Sequence, residues 1–185
     1  EIGHADRGRT LAPGQNFRLM TDRNGKMATM QVCPLCDNWW EYYKEYISLL
    51  VSEVKPDTFW IEDDFRLHNH SPLEGIGCFC EEHMALYNKK LNTAYSREEF
   101  VKRVFAPGKC TPERRAWLDV SRETMLTLAE RITAAVKQAN RDTDVGLMSS
   151  APQMHCLEAR DWDALYNIIG KGGNKINRIH LYYGE

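Results

Sequence analysis

Cys78-Phe-Cys80-Glu-Glu-His83 sets two thiols and an imidazole within six residues. At the start of a helix, Cys80 and His83 are three residues apart and share one face. Cys78, two residues earlier, reaches the same point. A second pair, Cys33-Pro-Leu-Cys36, offers a fourth ligand from either of its cysteines. Three thiolates and an imidazole with no open position make a structural zinc site. Paired spacing of this kind fits metal ligation better than a disulfide framework, which favours a reducing, cytoplasmic compartment. Cys110 and Cys156 stand apart and read as plain buried residues.

A second concentration of chemistry is Glu62-Asp63-Asp64-Phe65-Arg66-Leu67-His68-Asn69-His70, with three carboxylates, an arginine and two histidines. Neighbouring carboxylates repel, so one holds its proton while another stays ionised. That division of labour suits glycoside hydrolysis, which needs a proton donor for the leaving oxygen and a carboxylate at the sugar carbon. Consecutive side chains on a strand alternate, so Asp63 and Asp64 do not share a pocket, and Asp64 is the preferred catalytic group. Arg66 steadies the ionised partner or binds a hydroxyl, and His68 and His70 line the subsite or anchor the loop. Two other readings compete: a divalent metal on Asp64, His68 and His70, and a merely solvated polar loop.

The surrounding elements must place both groups. Residues 1–36 read as a long loop region without clear periodicity, broken by a turn at Asp22-Arg-Asn-Gly25. His4, Asp6 and Arg9 in it are candidates for another pocket wall. Asp37 is a candidate cap for a helix whose apolar face carries Trp39, Trp40, Tyr43, Ile47, Leu50 and Val51. After Pro56, Thr58-Phe-Trp-Ile61 reads as a buried strand that delivers the acidic segment. Helices are expected from Glu81 to Leu91, from the capping box Ser96-Arg-Glu-Glu99, from Thr111-Pro112 to about Asn140, and from Asp161 to Ile169. Asp144–Ser149 and Asn177–Tyr183 read as further strands. Alternation of this kind argues for an α/β fold with parallel strands and crossover helices. The expectation is a single domain over residues 1–185, a partial or complete (β/α) TIM-type barrel. A full barrel takes about 250 residues, so the chain reads as a section of one, with a small open α/β sheet as the alternative.

Composition sets the outer limits. The chain has 185 residues, 43% hydrophobic and 27% charged, a globular balance. With 24 basic and 26 acidic side chains and no basic stripe, nothing favours nucleic acid as a partner. No apolar run approaches a membrane span, and no secretory signal is seen, although the chain opens on Glu1 rather than Met. Nothing calls for an organic cofactor, and a homo-oligomer is compatible with the sequence.

In this order, these residues resemble the catalytic domain of glycoside hydrolase family 42, the β-galactosidases, from about Arg18 to the end. The Asp-x-x-Gly turn before Cys33-Pro34 is similar to a family segment, and Cys78-Phe-Cys80-Glu-Glu-His83 resembles the family's Cys-x-Cys-x-x-Cys zinc motif. The resemblance implies Cys33, Cys78, Cys80 and His83 as ligands, with His83 replacing a cysteine. It also implies a carbohydrate substrate, with β-linked galactose or a related sugar cleaved by retaining chemistry. Laid on the family's Trp-x-x-Asp-Asn-Glu, Trp60 and Asp63 match, Asp64 replaces Asn, and Phe65 stands where the catalytic Glu belongs. Asp64 and Asp63 are then the expected catalytic residues. Arg66, His68, His70, Trp60 and Tyr182 are the expected substrate contacts, the two aromatics by stacking. Glu185 follows the last visible strand, one strand too early for the family's nucleophile. The missing Glu equally supports a silent sugar-binding relative.

Overall fold

The computed structural model describes residues 15–62, 65–67, 73–149 and 155–179. Its first element corrects the reading of the opening as an irregular loop. Strands β1 (Leu19–Thr21) and β2 (Met27–Val32) form an antiparallel ribbon. The turn expected at Asp22–Gly25 joins them, with Gly25 at φ 85°, a left-handed conformation that glycine adopts without strain. Asp22 is fully buried, and its Oδ1 accepts from the Asn24 and Lys26 amides, both at 2.9 Å. The ribbon is faint in sequence because Ala28 and Gln31, rather than large apolar residues, occupy buried positions.

Helix α1 (Asp37–Val54) buries Trp39, Trp40, Ile47 and Val51. Asp37 is its first residue rather than its cap: Cys36 holds the cap position, and no side chain caps the end. The helix closes on Lys55 at φ 49°, one residue before Pro56. Strand β3 (Thr58–Ile61) follows, then α2 (Glu81–Leu91), α3 (Arg97–Val104), α4 (Pro112–Ala139), β4 (Asp144–Ser149), α5 (Trp162–Ile169) and β5 (Ile176–Ile179). The Ser96–Glu99 capping box is formed in full, and Thr111 and Asp161 cap α4 and α5 through their side chains.

The three later strands lie parallel in the order β3-β4-β5. This overturns the expected TIM-type barrel. The described residues form a small α/β unit with an open three-stranded sheet and a separate two-stranded ribbon, and no eight-stranded ring closes among them. Alternating helices and strands specify parallel crossovers, a property shared by open sheets and barrels, so the pattern alone does not dictate closure.

Two apolar clusters support the unit. Phe59, Ile61, Val145 and Leu147 from the sheet pack with Ile47 and Val51 of α1, Leu128, Ile132 and Val136 of α4, and Leu165 of α5. Phe79, Met84, Tyr87, Phe100, Val104, Trp117 and Val120 form the other cluster, around α2, α3 and the first half of α4. Helix α4, 28 residues long, bridges the two. Among the described residues, no helix is long and apolar enough to cross a membrane.

Candidate functional site

Three segments converge on one buried point. Cys33 follows β2, and its amide donates to Arg18 O at 2.9 Å, continuing the ribbon. Cys78 and Cys80 lie in the loop before α2, held to the ribbon by Phe79 N donating to Thr21 O at 2.8 Å and by Glu74 N donating to Asp22 Oδ2 at 3.2 Å. Gly77, at φ 88°, lets this loop press against Trp117; a Cβ there would stand 2.6 Å from the indole nitrogen. Cys80 is the N-cap of α2, and His83 lies in its first turn.

Cys33, Cys78, Cys80 and His83 are all buried, and their ligand atoms lie within 4.8 Å of one another. Cys33 Sγ is 3.6 Å from Cys80 Sγ, far beyond a disulfide, and each of these sulfurs is 3.4 Å from His83 Nδ1. A tetrahedral zinc centre, with Zn–S of roughly 2.3 Å and Zn–N of roughly 2.0–2.1 Å, has edges of roughly 3.8 Å between sulfurs and roughly 3.6 Å between sulfur and nitrogen. The three edges among Cys33, Cys80 and His83 fall within about 0.2 Å of these, the tolerance expected of a metal site. His83 Nε2 is buried without a hydrogen-bond partner. Cys36 is not part of the cluster; its Sγ accepts from the Arg18 amide at 3.2 Å. Cys110 and Cys156 are exposed, which corrects their reading as buried residues.

The electrostatics describe a crowded anionic point. Burial alone would depress His83, but the Cys78 thiolate charge and hydrogen bonds to Cys78 and Cys80 outweigh it and lift the ring to about 9. Hydrogen bonds with Cys78 and Cys80, reinforced by burial, push Cys33 up. Hydrogen bonds from Cys33 and Cys78 draw Cys80 down against its burial. Cys33 and Cys80 are driven in opposite directions, and a divalent cation bound to both removes that conflict.

The acidic segment leaves β3 at the carboxyl edge of the parallel sheet, the edge at which such sheets carry their ligand sites. Asp63, Asp64, His68 and His70 lie outside the described residues, as do Tyr182, His4, Asp6, Arg9 and Glu185. Phe65–Leu67 are described and held by a buried cluster that sequence reasoning did not single out. Leu67 N donates to Glu158 Oε2 at 2.7 Å, and Arg160 donates to the Phe65 carbonyl. Glu158 also pairs with Arg160 at 2.7 Å and with His155 Nδ1 at 3.1 Å. The available signal was His155-x-x-Glu158-x-Arg160 in a stretch between strand and helix. Arg66 is half-buried, and its charge bears on Arg160 and His155.

Trp60 is not in a fully buried strand position. It is 39% exposed and outside both apolar clusters. A Cβ on Gly146 would come within 2.8 Å of Trp60 Cε3 and Cζ3, so the indole lies against the neighbouring strand. Compared with known proteins, the chain matches no family model, no curated protein and no solved structure.

Proposed function

We propose that Cys33, Cys78, Cys80 and His83 bind one structural zinc ion that fastens the β1–β2 ribbon to the N-terminus of α2. The supporting observation is the buried Cys33–Cys80–His83 triangle, whose edges match a tetrahedral centre, with Cys78 Sγ within 4.8 Å of each corner. Soft thiolates with one imidazole favour zinc, and four protein ligands leave no position for substrate. Elemental analysis of purified protein tests the assignment. One zinc per chain is expected, retained in Cys36→Ala and lost in Cys80→Ser. Retention in Cys80→Ser, or loss in Cys36→Ala, contradicts the ligand set.

A second reading concerns the carboxyl edge of the sheet, and the anchoring of Phe65 and Leu67 by Arg160 and Glu158 favours it. A buried ion pair costs desolvation free energy and is often no more stabilising than apolar packing; here it fixes backbone directly beyond three acidic residues. We infer glycoside hydrolysis on a β-linked galactoside or related sugar, with Asp64 and Asp63 as acid/base groups and Arg66, His68, His70, Trp60 and Tyr182 as substrate contacts. The family 42 resemblance, carried by the quoted motifs alone, points the same way. Release of nitrophenol from nitrophenyl β-galactoside is the assay. Turnover that falls at least about a hundredfold in Asp64→Asn supports the role of Asp64 as general acid, and equal rates in the two proteins remove it.

A further inference from the structure

A cavity of about 460 Å³ opens where the Cys33–Cys36 turn, α2 and α4 meet. Its lining is mostly apolar, with Pro34 and Leu35 from the turn, Leu86 from α2, and Val120 and Leu128 from α4. Along α4 the lining runs from Val120 to Arg131. At about 1.5 Å per residue this makes an elongated groove, about 16 Å from end to end. Two ion pairs span it. Lys90 Nζ lies 2.7 Å from Glu123 Oε1, between α2 and α4, and Arg131 Nη1 lies 3.8 Å from Asp37 Oδ1, between α4 and α1. Each sets one cation against one anion. Lys89 also lines the groove, is exposed, and has no acidic partner among the described residues. The groove therefore holds one positive charge to spare.

We propose that this groove binds a small amphiphilic monocarboxylate, its chain along Leu35, Leu86, Val120 and Leu128 and its carboxylate at Lys89, and that the zinc ion sets the width of the groove. The volume lies within the roughly 300–1,000 Å³ of small-molecule sites, whereas a partner helix lays a whole face along its groove. Apolar walls take a hydrocarbon chain out of water. A single uncompensated ammonium pairs with one carboxylate through charge-assisted hydrogen bonds. That same charge repels a cationic amphiphile. Two walls of the groove carry the metal ligands: Cys33 opens the turn, and Cys80 and His83 begin α2. A metal bound to all three fixes these walls relative to each other, while α4 packs against α1 and α2. The width of the groove rests on the zinc reading above; the ligand class does not.

The test is an NMR titration of the full chain with decanoate below its micelle concentration, following the Val120 and Leu128 methyl groups, with decanol as the neutral comparison. Both methyl groups should shift saturably, with decanoate bound severalfold more tightly than decanol. Lys89→Ala should remove that preference while leaving decanol affinity and the unfolding midpoint unchanged, and Lys89→Arg should restore it. Thr127→Trp, which puts an indole into the groove from an exposed position of α4, should abolish binding of both. No shift at these methyl groups leaves the groove to a larger partner and overturns the proposal. Equal affinity for decanoate and decanol, or undiminished decanoate affinity in Lys89→Ala, overturns the carboxylate. Metal analysis separates the two claims. One zinc per chain without decanoate binding removes the groove ligand and keeps the metal site. Full decanoate affinity in folded, zinc-free protein keeps the ligand and removes the metal from the groove.

Discussion

Among the described residues, two buried clusters of polar side chains meet the same difficulty in different ways. His155, Glu158 and Arg160 carry their own counter-charge: the guanidinium and carboxylate pair directly, and the spare capacity of each holds a backbone group of the strand-end segment. Cys33, Cys78, Cys80 and His83 set one imidazole, lifted to about 9, against three clustered sulfurs, with Cys33 and Cys80 driven in opposite directions. A buried cluster complete in itself is a fastening. One whose sulfurs outnumber its single imidazole is a ligand site.

That contrast breaks first at the cysteines. If zinc supplies the balancing charge, its removal should loosen one region and spare the other. Free zinc at about a thousandfold its Kd stabilises by about 4 kcal/mol, equivalent to about 8–16 °C in Tm for a chain of this size. A strong chelator should lower the unfolding midpoint by that amount, and hydrogen exchange should rise first in β2 and α2. Cys80→Ser should reproduce the shift and abolish the response to chelator.

Glu158→Ala is the matching disruption of the other cluster. It strands Arg160 in the interior, where both partners are 4% exposed, and should cost about 3–5 kcal/mol by urea unfolding. Its zinc content should stay at one per chain. If Glu158→Ala releases zinc, the two clusters are not independent. Substituting Gly146 by Ala drives a methyl group against the Trp60 ring and should cost about 1–3 kcal/mol as overpacking, read in the same assay.

A smaller effect separates the clusters by pH. Burial penalises the His155 imidazolium more than its bond to Glu158 favours it, so this histidine titrates below its ordinary value. The unfolded chain therefore takes up the proton first, and the stability tied to His155 is intact above roughly pH 6.5 and declines as pH falls below that. His155→Gln should flatten this part of the stability profile in zinc-saturated protein. Smallest of all, Ser96→Ala removes half of a capping box and should cost about 1 kcal/mol, with metal content unchanged.

How much of this was legible follows from what each residue had to do. Helices α3, α4 and α5 announce themselves through Ser96, Thr111-Pro112 and Asp161, because capping chemistry is local. The grouping of Cys78, Cys80 and His83 was legible because ligand spacing near a helix start is local too, while the choice of Cys33 over Cys36 as the fourth ligand depended on the path of β2. The ribbon was missed because Ala28 and Gln31 hide its alternation. Sheet closure was misjudged because parallel crossovers look alike in open sheets and barrels. The Glu158–Arg160 fastening joins residues more than ninety positions from Leu67 and Phe65, and no short-range pattern encodes a contact of that separation.

X-ray absorption at the zinc edge of the purified protein bears most directly on the central claim. The account predicts a first shell of three sulfurs at roughly 2.3 Å and one nitrogen at roughly 2.0–2.1 Å, reduced to two sulfurs or lost in Cys33→Ser. A shell dominated by oxygen, or one containing four sulfurs that survives Cys33→Ser but not Cys36→Ser, would contradict it.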